Sequence, residues 1–224
     1  MKRIIKIIAF FMVMIFGLCG CGTETTFTSN TSPAGNIDSS DADNNSDDFA
    51  DGNTQSDESS NQRVKFTMDS GRSFIIELYP EYAPKTVENF VDLVSTGFYD
   101  GLTFHRIVDD FMAQGGDPNG NGTGGSPHKI KGEFSVNGFT QNTLSHTRGV
   151  VSMARSKNPN SASSQFFICY GDATFLDGQY AAFGKVIEGM EVVDSFLEVE
   201  RVLGNDGAMS RPIDPIVIEK AEVL

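Results

Sequence analysis

A chain of 224 residues, 39% of them hydrophobic, has room for one ordinary domain or at most two. Its net charge of −13 excludes a surface built to hold a phosphate backbone, which needs clustered Lys and Arg, so nucleic acid is not an expected partner. Its three cysteines, Cys19, Cys21 and Cys169, do not amount to a disulfide framework, and folding has to rest on an apolar core.

The N-terminus carries Lys2, Arg3 and Lys6, then an apolar run from Ile7 to Leu18, then Cys19-Gly20-Cys21. A charged segment, a short apolar segment and small residues at its end make an export signal, and ~12 apolar residues are too few to cross a hydrocarbon core that takes about 20. The end of the signal resembles a bacterial lipobox. Small Gly20 precedes Cys21, whereas bulky Leu18 precedes Cys19, so residues 1–21 are expected to be a lipoprotein signal peptide with Cys21 as the acylated mature N-terminus. An ordinary signal peptide cleaved near Gly22 is the alternative. The lipoprotein reading makes the protein exported and membrane-anchored on the outer face of the bacterial cytoplasmic membrane. Only Cys169 then remains, inside an apolar run where a lone Cys packs.

Residues 22–62 hold acidic side chains, no Lys or Arg before Arg63, and almost no large apolar groups. Such a segment cannot bury enough surface to offset its ordering entropy, so it reads as a disordered acidic linker with a reach of roughly 35 Å.

From Arg63 to Leu224 the texture changes to short alternating segments divided by Gly, Asp, Asn and Pro. "VKFTM" and "SFIIEL" flank Asp69-Ser70-Gly71, a hairpin signal. "APKTVENFVDLVSTG" sets Val87, Phe90, Val91 and Val94 on one helical face, with Pro84 at the start and Gly97 past the end. Strand patterns follow at "LTFHRIV", "FMAQGG", "GVVSMA", "SQFFICY", "AAFGKVI" and "PIVIEKAEVL", and a second helix is expected around Met190 to Leu197. In "LTFHRIV" the alternation puts Phe104, Arg106 and Val108 on one face. About eight strands and two amphipathic helices give a mainly β protein, a closed eight-stranded antiparallel β-barrel capped by two α-helices, with an open sandwich as the rival.

Two ligand-loop patterns overlap at Asp117 to Gly125 and both fail where their chemistry lies. Gly120, Gly122 and Gly125 match G-x-G-x-x-G, but Ser126-Pro127 follows where a phosphate-binding helix must begin. Counted as a calcium loop from Asp117, the position that needs a bidentate carboxylate is His128. His105, His128 and His146 fit no zinc spacing and are expected to be structural, so neither metal nor cofactor is expected.

"FHRIVDDFMAQGGD", "GTGG", "GVVSMARS", "SSQFFICYG" and "FLDGQYAAFGKVIEGMEVVD", together with "APKTVENFVDLVSTGFYDG", resemble the cyclophilin peptidyl-prolyl cis-trans isomerases in order and over essentially all of residues 64–224. The resemblance implies the same barrel and an enzyme that accelerates X-Pro isomerisation, here in exported proteins. It implies catalytic roles for Arg106, Gln114 and Phe111, Arg106 aiming its guanidinium at the prolyl nitrogen. Phe111, Met112, Phe167 and Leu176 would make the apolar pocket for the proline ring, the backbone at Ala154 and Arg155 would pair with the substrate chain, Gln165 would line the neighbouring pocket, and Phe175 and Tyr180 would be further substrate contacts. The partners are then proline-containing polypeptides, met by a monomer. Three departures stand out: Phe175 where many eukaryotic members carry Trp, Arg155 where they often carry Asn, and Tyr180 where they carry His. The alternative function is a peptide-binding holdase or surface adhesion module that uses the same groove without turnover.

Overall fold

The computed structural model describes residues 61–224; the expected signal peptide, Cys21 and nearly all of the expected linker lie outside the described residues. Eight antiparallel strands close into a barrel. In chain order they are β1 (Arg63–Met68), β2 (Ser73–Leu78), β3 (Thr103–Val108), β4 (Met112–Asp117), β5 (Val150–Met153), β6 (Phe166–Cys169), β7 (Ala182–Glu188) and, last in the chain, β10 (Ile216–Val223). Two short strands, β8 (Arg201–Leu203) and β9 (Met209–Pro212), form a separate hairpin that the sequence pattern did not suggest. Around the barrel the order is β1-β10-β3-β4-β6-β5-β7-β2, and β1 pairs on one side with β2 and on the other with β10, so no barrel strand is left with an open edge.

Alternation fills the interior. Val64, Phe66 and Met68 of β1 and Phe74, Ile76 and Leu78 of β2 are buried, while the residues between them are not. The centre is aromatic: Phe66 stacks on Phe74 at 5.2 Å between ring centroids and meets Phe166 at 5.6 Å. Phe104 lies edge-on to Phe166. Large rings packed at these distances leave a solid core in place of a lumen.

Helix α1 (Pro84–Ser95) presses Val87, Phe90 and Val94 onto this core, with Phe90 against Phe183 at 4.9 Å. Its N-terminal side chain offers no cap; instead the carboxylate of buried Glu133 accepts the N–H groups of Lys85 (3.0 Å) and Thr86 (2.8 Å), a charge well placed against the helix dipole. At the other end Gly97 takes φ +69°, and the N–H groups of Phe98 and Gly97 reach back to the carbonyls of Leu93 and Val94, which closes the last turn. The second helix is shorter than expected. Helix α2 covers Met190–Asp194 and tightens into a 3-10 turn over Ser195–Glu198, which seats Phe196 on Phe104.

One strand expectation needs correction. The β3–β4 register slips between Phe104 and Arg106, a bulge at His105. Phe104 and Ile107 therefore face the core while Arg106 and Val108 are half-buried on the other side, so Phe104 does not share a face with Arg106. The extra residue breaks the period of two, and it is what turns Arg106 outward.

Candidate active site

One rung of the sheet carries the site. Arg106 of β3 pairs with Gln114 of β4, Gln114 pairs with Phe167 of β6, and Phe167 pairs with Ser152 of β5. Residues directly opposite on neighbouring strands share a face, so a cation, an amide and an aromatic ring stand side by side outside the barrel.

The apolar part is a small cluster separate from the main core. Met112, Phe167, Cys169, Ala173 and Leu176 are buried in it, with Phe111, Ala154 and Tyr180 packed around. The Phe167 ring is held from both sides, stacked on His146 and edge-on to Tyr180, each at 6.0 Å. His146 is in turn fixed by Asp177 Oδ1 (2.8 Å) and Ser152 Oγ (2.9 Å). Burial keeps this imidazole below its ordinary pKa against the raising influence of Asp177, so at neutral pH it is an uncharged support. Cys169 is equally inert. Burial, reinforced by Asp177, pushes its thiol up to about 12.

The polar part is a directed chain of hydrogen bonds. Arg106 Nη1 donates to Gln114 Oε1 (3.3 Å), Gln114 Nε2 to Gln165 Oε1 (2.8 Å), and Gln165 Nε2 to the Gly124 carbonyl (2.7 Å). Arg106 Nε donates in the opposite direction to Asp206 Oδ2 at 2.6 Å. Asp206 sits in the β8–β9 turn. Burial alone would raise its pKa, but its bonds with Arg106, Ser210 and the Ala208 N–H win and hold the carboxyl below its ordinary value.

Ten expected site residues line a single depression of about 360 Å³: Arg106, Phe111, Met112, Gln114, Ala154, Arg155, Phe167, Phe175, Leu176 and Tyr180. Gln165 lies beside it, in a polar depression that shares Gln114, Ala154 and Arg155. Arg155 is pinned across the Tyr180 ring at 4.5 Å and donates to the Gln179 carbonyl, so its charge points along the rim. The Ala154 N–H donates to the Gln165 carbonyl (2.9 Å). Phe175 is two-thirds exposed at the mouth, 5.7 Å from Phe111.

The glycine run is loop architecture. The buried Asp117 carboxylate accepts the N–H groups of Asn119, Asn121 and Gly122, and a Cβ on Gly124 would collide with Asp117 Oδ1. Burial opposes ionisation there, but the three N–H donors prevail and lower the Asp117 pKa. Neither ring nitrogen of His105 has a hydrogen-bond partner among the described residues, and burial lowers its pKa too. His128 is exposed.

Sequence reasoning missed Asp206 and its hairpin. Asp206 is 100 residues from Arg106, and the only local signal was the Gly204-Asn205-Asp206-Gly207 turn between two short apolar pairs.

The model of the family described as "Cyclophilin type peptidyl-prolyl cis-trans isomerase/CLD" matches residues 63–223. The chain belongs to the cyclophilin family. It is 43% identical over 151 residues to the peptidyl-prolyl cis-trans isomerase ppi1 of Schizosaccharomyces pombe, covering 67% of this chain and 92% of that protein. With peptidyl-prolyl cis-trans isomerase B of Bacillus subtilis it shares 45% identity over 126 residues, 56% of this chain and 84% of that one. A crystal structure of a cyclophilin type isomerase from Cryptosporidium parvum superposes with a TM-score of 0.64 at 32% identity, covering 73% of this chain and 98% of that one. This cyclophilin is thus a peptidyl-prolyl cis-trans isomerase, an enzyme that works on proline-containing peptides.

Proposed function

We propose that Arg106 drives the isomerisation by donating a hydrogen bond to the prolyl nitrogen while the pocket around Phe167 grips the ring. The observation that carries this reading is the shared rung: Arg106, Gln114 and Phe167 lie abreast on three paired strands, so a cationic donor borders an apolar depression.

Rotation about an X-Pro bond faces a barrier of about 20 kcal/mol, because the nitrogen lone pair is delocalised into the carbonyl. No covalent bond has to form or break. A donor aimed at the nitrogen favours the twisted, pyramidal amide over both planar forms, and lowering the barrier by about 5 kcal/mol accelerates the reaction by three to four powers of ten. Met112, Phe167 and Leu176 supply the apolar walls, with Phe111 and Phe175 at the mouth. Gln114 holds Arg106 by one hydrogen bond and aligns the substrate backbone. Arg155 and Tyr180 border the chain beyond the ring. The resemblance to the cyclophilins places their cyclosporin site at the indole that many eukaryotic members carry; Phe175 offers no N–H donor there, so weak cyclosporin binding is expected.

The enzyme acts as a monomer on exported proteins, anchored by lipid on Cys21 at the outer face of the bacterial cytoplasmic membrane, with residues 22–62 as a tether. Lys2, Arg3 and Lys6, the apolar run and the Gly20-Cys21 pair support this placement. Mass spectrometry of the mature N-terminus tests it: an unmodified residue at that terminus rules the anchor out.

The test of the mechanism is isomerisation of a proline tetrapeptide by the wild-type chain and by Arg106→Ala. Loss of one charge-assisted donor is expected to lower kcat/KM by about a hundredfold. A folded Arg106→Ala variant with wild-type turnover would falsify the assignment.

A further inference from the structure

We propose that Asp206 is a positioning residue for the isomerisation, holding the Arg106 guanidinium in the plane from which it reaches the substrate. The proposal rests on the assignment of Arg106 as the donor to the prolyl nitrogen.

A free arginine side chain is long and samples many rotamers, and a strand residue half-buried on the outside of a barrel is not packed tightly enough to choose one. Here the guanidinium is clamped at two of its nitrogens. Nε donates to Asp206 Oδ2 at 2.6 Å, and Nη1 donates to Gln114 Oε1 at 3.3 Å. Two bonds from different nitrogens fix the plane of a rigid fork; Nη1 also meets Met112 Sδ at 3.9 Å, and the Nη2 N–H groups, without a partner among the described residues, are left for the pocket that Arg106 borders.

An exposed ion pair is ordinarily weak, because two flexible side chains must be ordered to make it. This carboxylate is ordered beforehand. Its other oxygen, Oδ1, accepts the Ser210 hydroxyl (2.7 Å) and the Ala208 N–H (3.1 Å) within the same hairpin. Gly204 packs so closely on that arrangement that a Cβ there would strike Ser210 Oγ and come within 2.9 Å of Asp206 Oδ1. The hairpin itself is tied down at two points. Arg201 donates to Asp109 (2.6 Å) beside the β3–β4 turn, and the Asn205 side chain donates to the Asn121 carbonyl of the glycine loop (3.1 Å). Arg106, by contrast, is ordered by Asp206 on one part of the chain and by Gln114 and Met112 on another, and among the described residues Asp206 is its only ionised partner.

A carboxylate beside a catalytic cation has two opposed effects: it fixes direction and it weakens the field. The first wins in this geometry because Asp206 contacts Nε, the nitrogen of the fork nearest the backbone, and not the Nη groups. Asparagine cannot substitute. Donors approach both carboxylate oxygens, so an amide, with one oxygen and one NH2, leaves one of them facing another donor.

The experiment measures kcat and KM separately for the full-length chain in detergent, with an alanyl-prolyl tetrapeptide, for the wild type and the Asp206→Ala, Asp206→Asn and Arg106→Ala variants. Folding of each is checked by urea unfolding. Asp206→Ala and the isosteric Asp206→Asn are both expected to lower kcat by about tenfold with KM changed little, since a misaimed donor affects the twisted state more than ring binding. In 15N spectra the Arg106 Nε–Hε signal, protected in the wild type, is expected to shift and exchange rapidly in both variants. Unchanged or increased kcat in either Asp206 variant, or a loss confined to KM, overturns the proposal. If Arg106→Ala is inactive in that case, only the role of Asp206 fails; if Arg106→Ala keeps its rate, the underlying assignment fails instead.

Discussion

The polar chain through the site has a direction, and Gln114→Glu tests it. Arg106 can only donate and the Gly124 carbonyl can only accept, so the two amides between them are forced to point the same way. A carboxylate at position 114 still accepts from Arg106 but has nothing to give Gln165. If Gln165 turns its amide to supply the missing donor, its oxygen faces the Gly124 carbonyl. One bond in a half-buried chain is lost in either arrangement, which costs about 1–3 kcal/mol of stability. The guanidinium would also stand between two carboxylates, Asp206 and the new one, and the donation to the prolyl nitrogen proposed for it would fall from charge-assisted towards ordinary strength, a loss of about 1–2 kcal/mol in the transition state. That corresponds to a fall in kcat/KM of about 5- to 30-fold. Tetrapeptide isomerisation measured beside a urea titration reads both numbers. A kcat/KM within about twofold of the wild type, with an unmoved urea midpoint, refutes the directed chain.

Gly116 in β4 takes φ +79°, and a Cβ there would hit the Ser164 carbonyl and come within 3.1 Å of the Phe166 and Tyr99 rings. Gly116→Ala combines backbone strain of about 1 kcal/mol with overpacking of about 1–3, so a loss of about 2–4 kcal/mol in urea unfolding is expected, and a loss below about 1 contradicts the contact. The stability of the domain also depends on pH through its buried imidazoles. His146 and His105 both have folded pKa values below the ordinary histidine value, chiefly from burial, so the unfolded chain takes the proton first. Stability is therefore fully present above about pH 6.5 and declines as pH falls from there towards the lower folded values, by at most ~1.4 kcal/mol per pH unit for each histidine. His146→Gln flattens its share of the slope. Equal unfolding free energies at about pH 7.5 and 5.5 are incompatible with neutral buried imidazoles.

The barrel strands were legible as short apolar segments between turn residues; β1 and β2, which alternate cleanly around Asp69-Ser70-Gly71, are the plainest case, whereas β5 and β6 are buried on both faces and read as near-continuous apolar runs. The site was legible because its apolar walls and its polar rung fall in a few continuous motifs. Three things escaped. The bulge at His105 inserts one residue into β3, and periodicity carries no mark of where a register slips. The β8–β9 hairpin has only short strands with Leu203 and Met209 largely exposed, so it shows no buried face to detect. The end of the second helix winds into a 3-10 turn because Phe196 has to reach Phe104, a tertiary demand that helix propensity does not encode.

The aromatic filling of the barrel has a consequence for the kind of molecule this enzyme can serve. Phe66, Phe74, Phe104 and Phe166 fill the interior of the barrel, so no chain threads through it, and the depression that gathers the expected site residues lies on its outer wall. A site of that form asks for no chain terminus and sets no limit on length. It can close on a proline in the middle of a long polypeptide and let go again without either end having to pass.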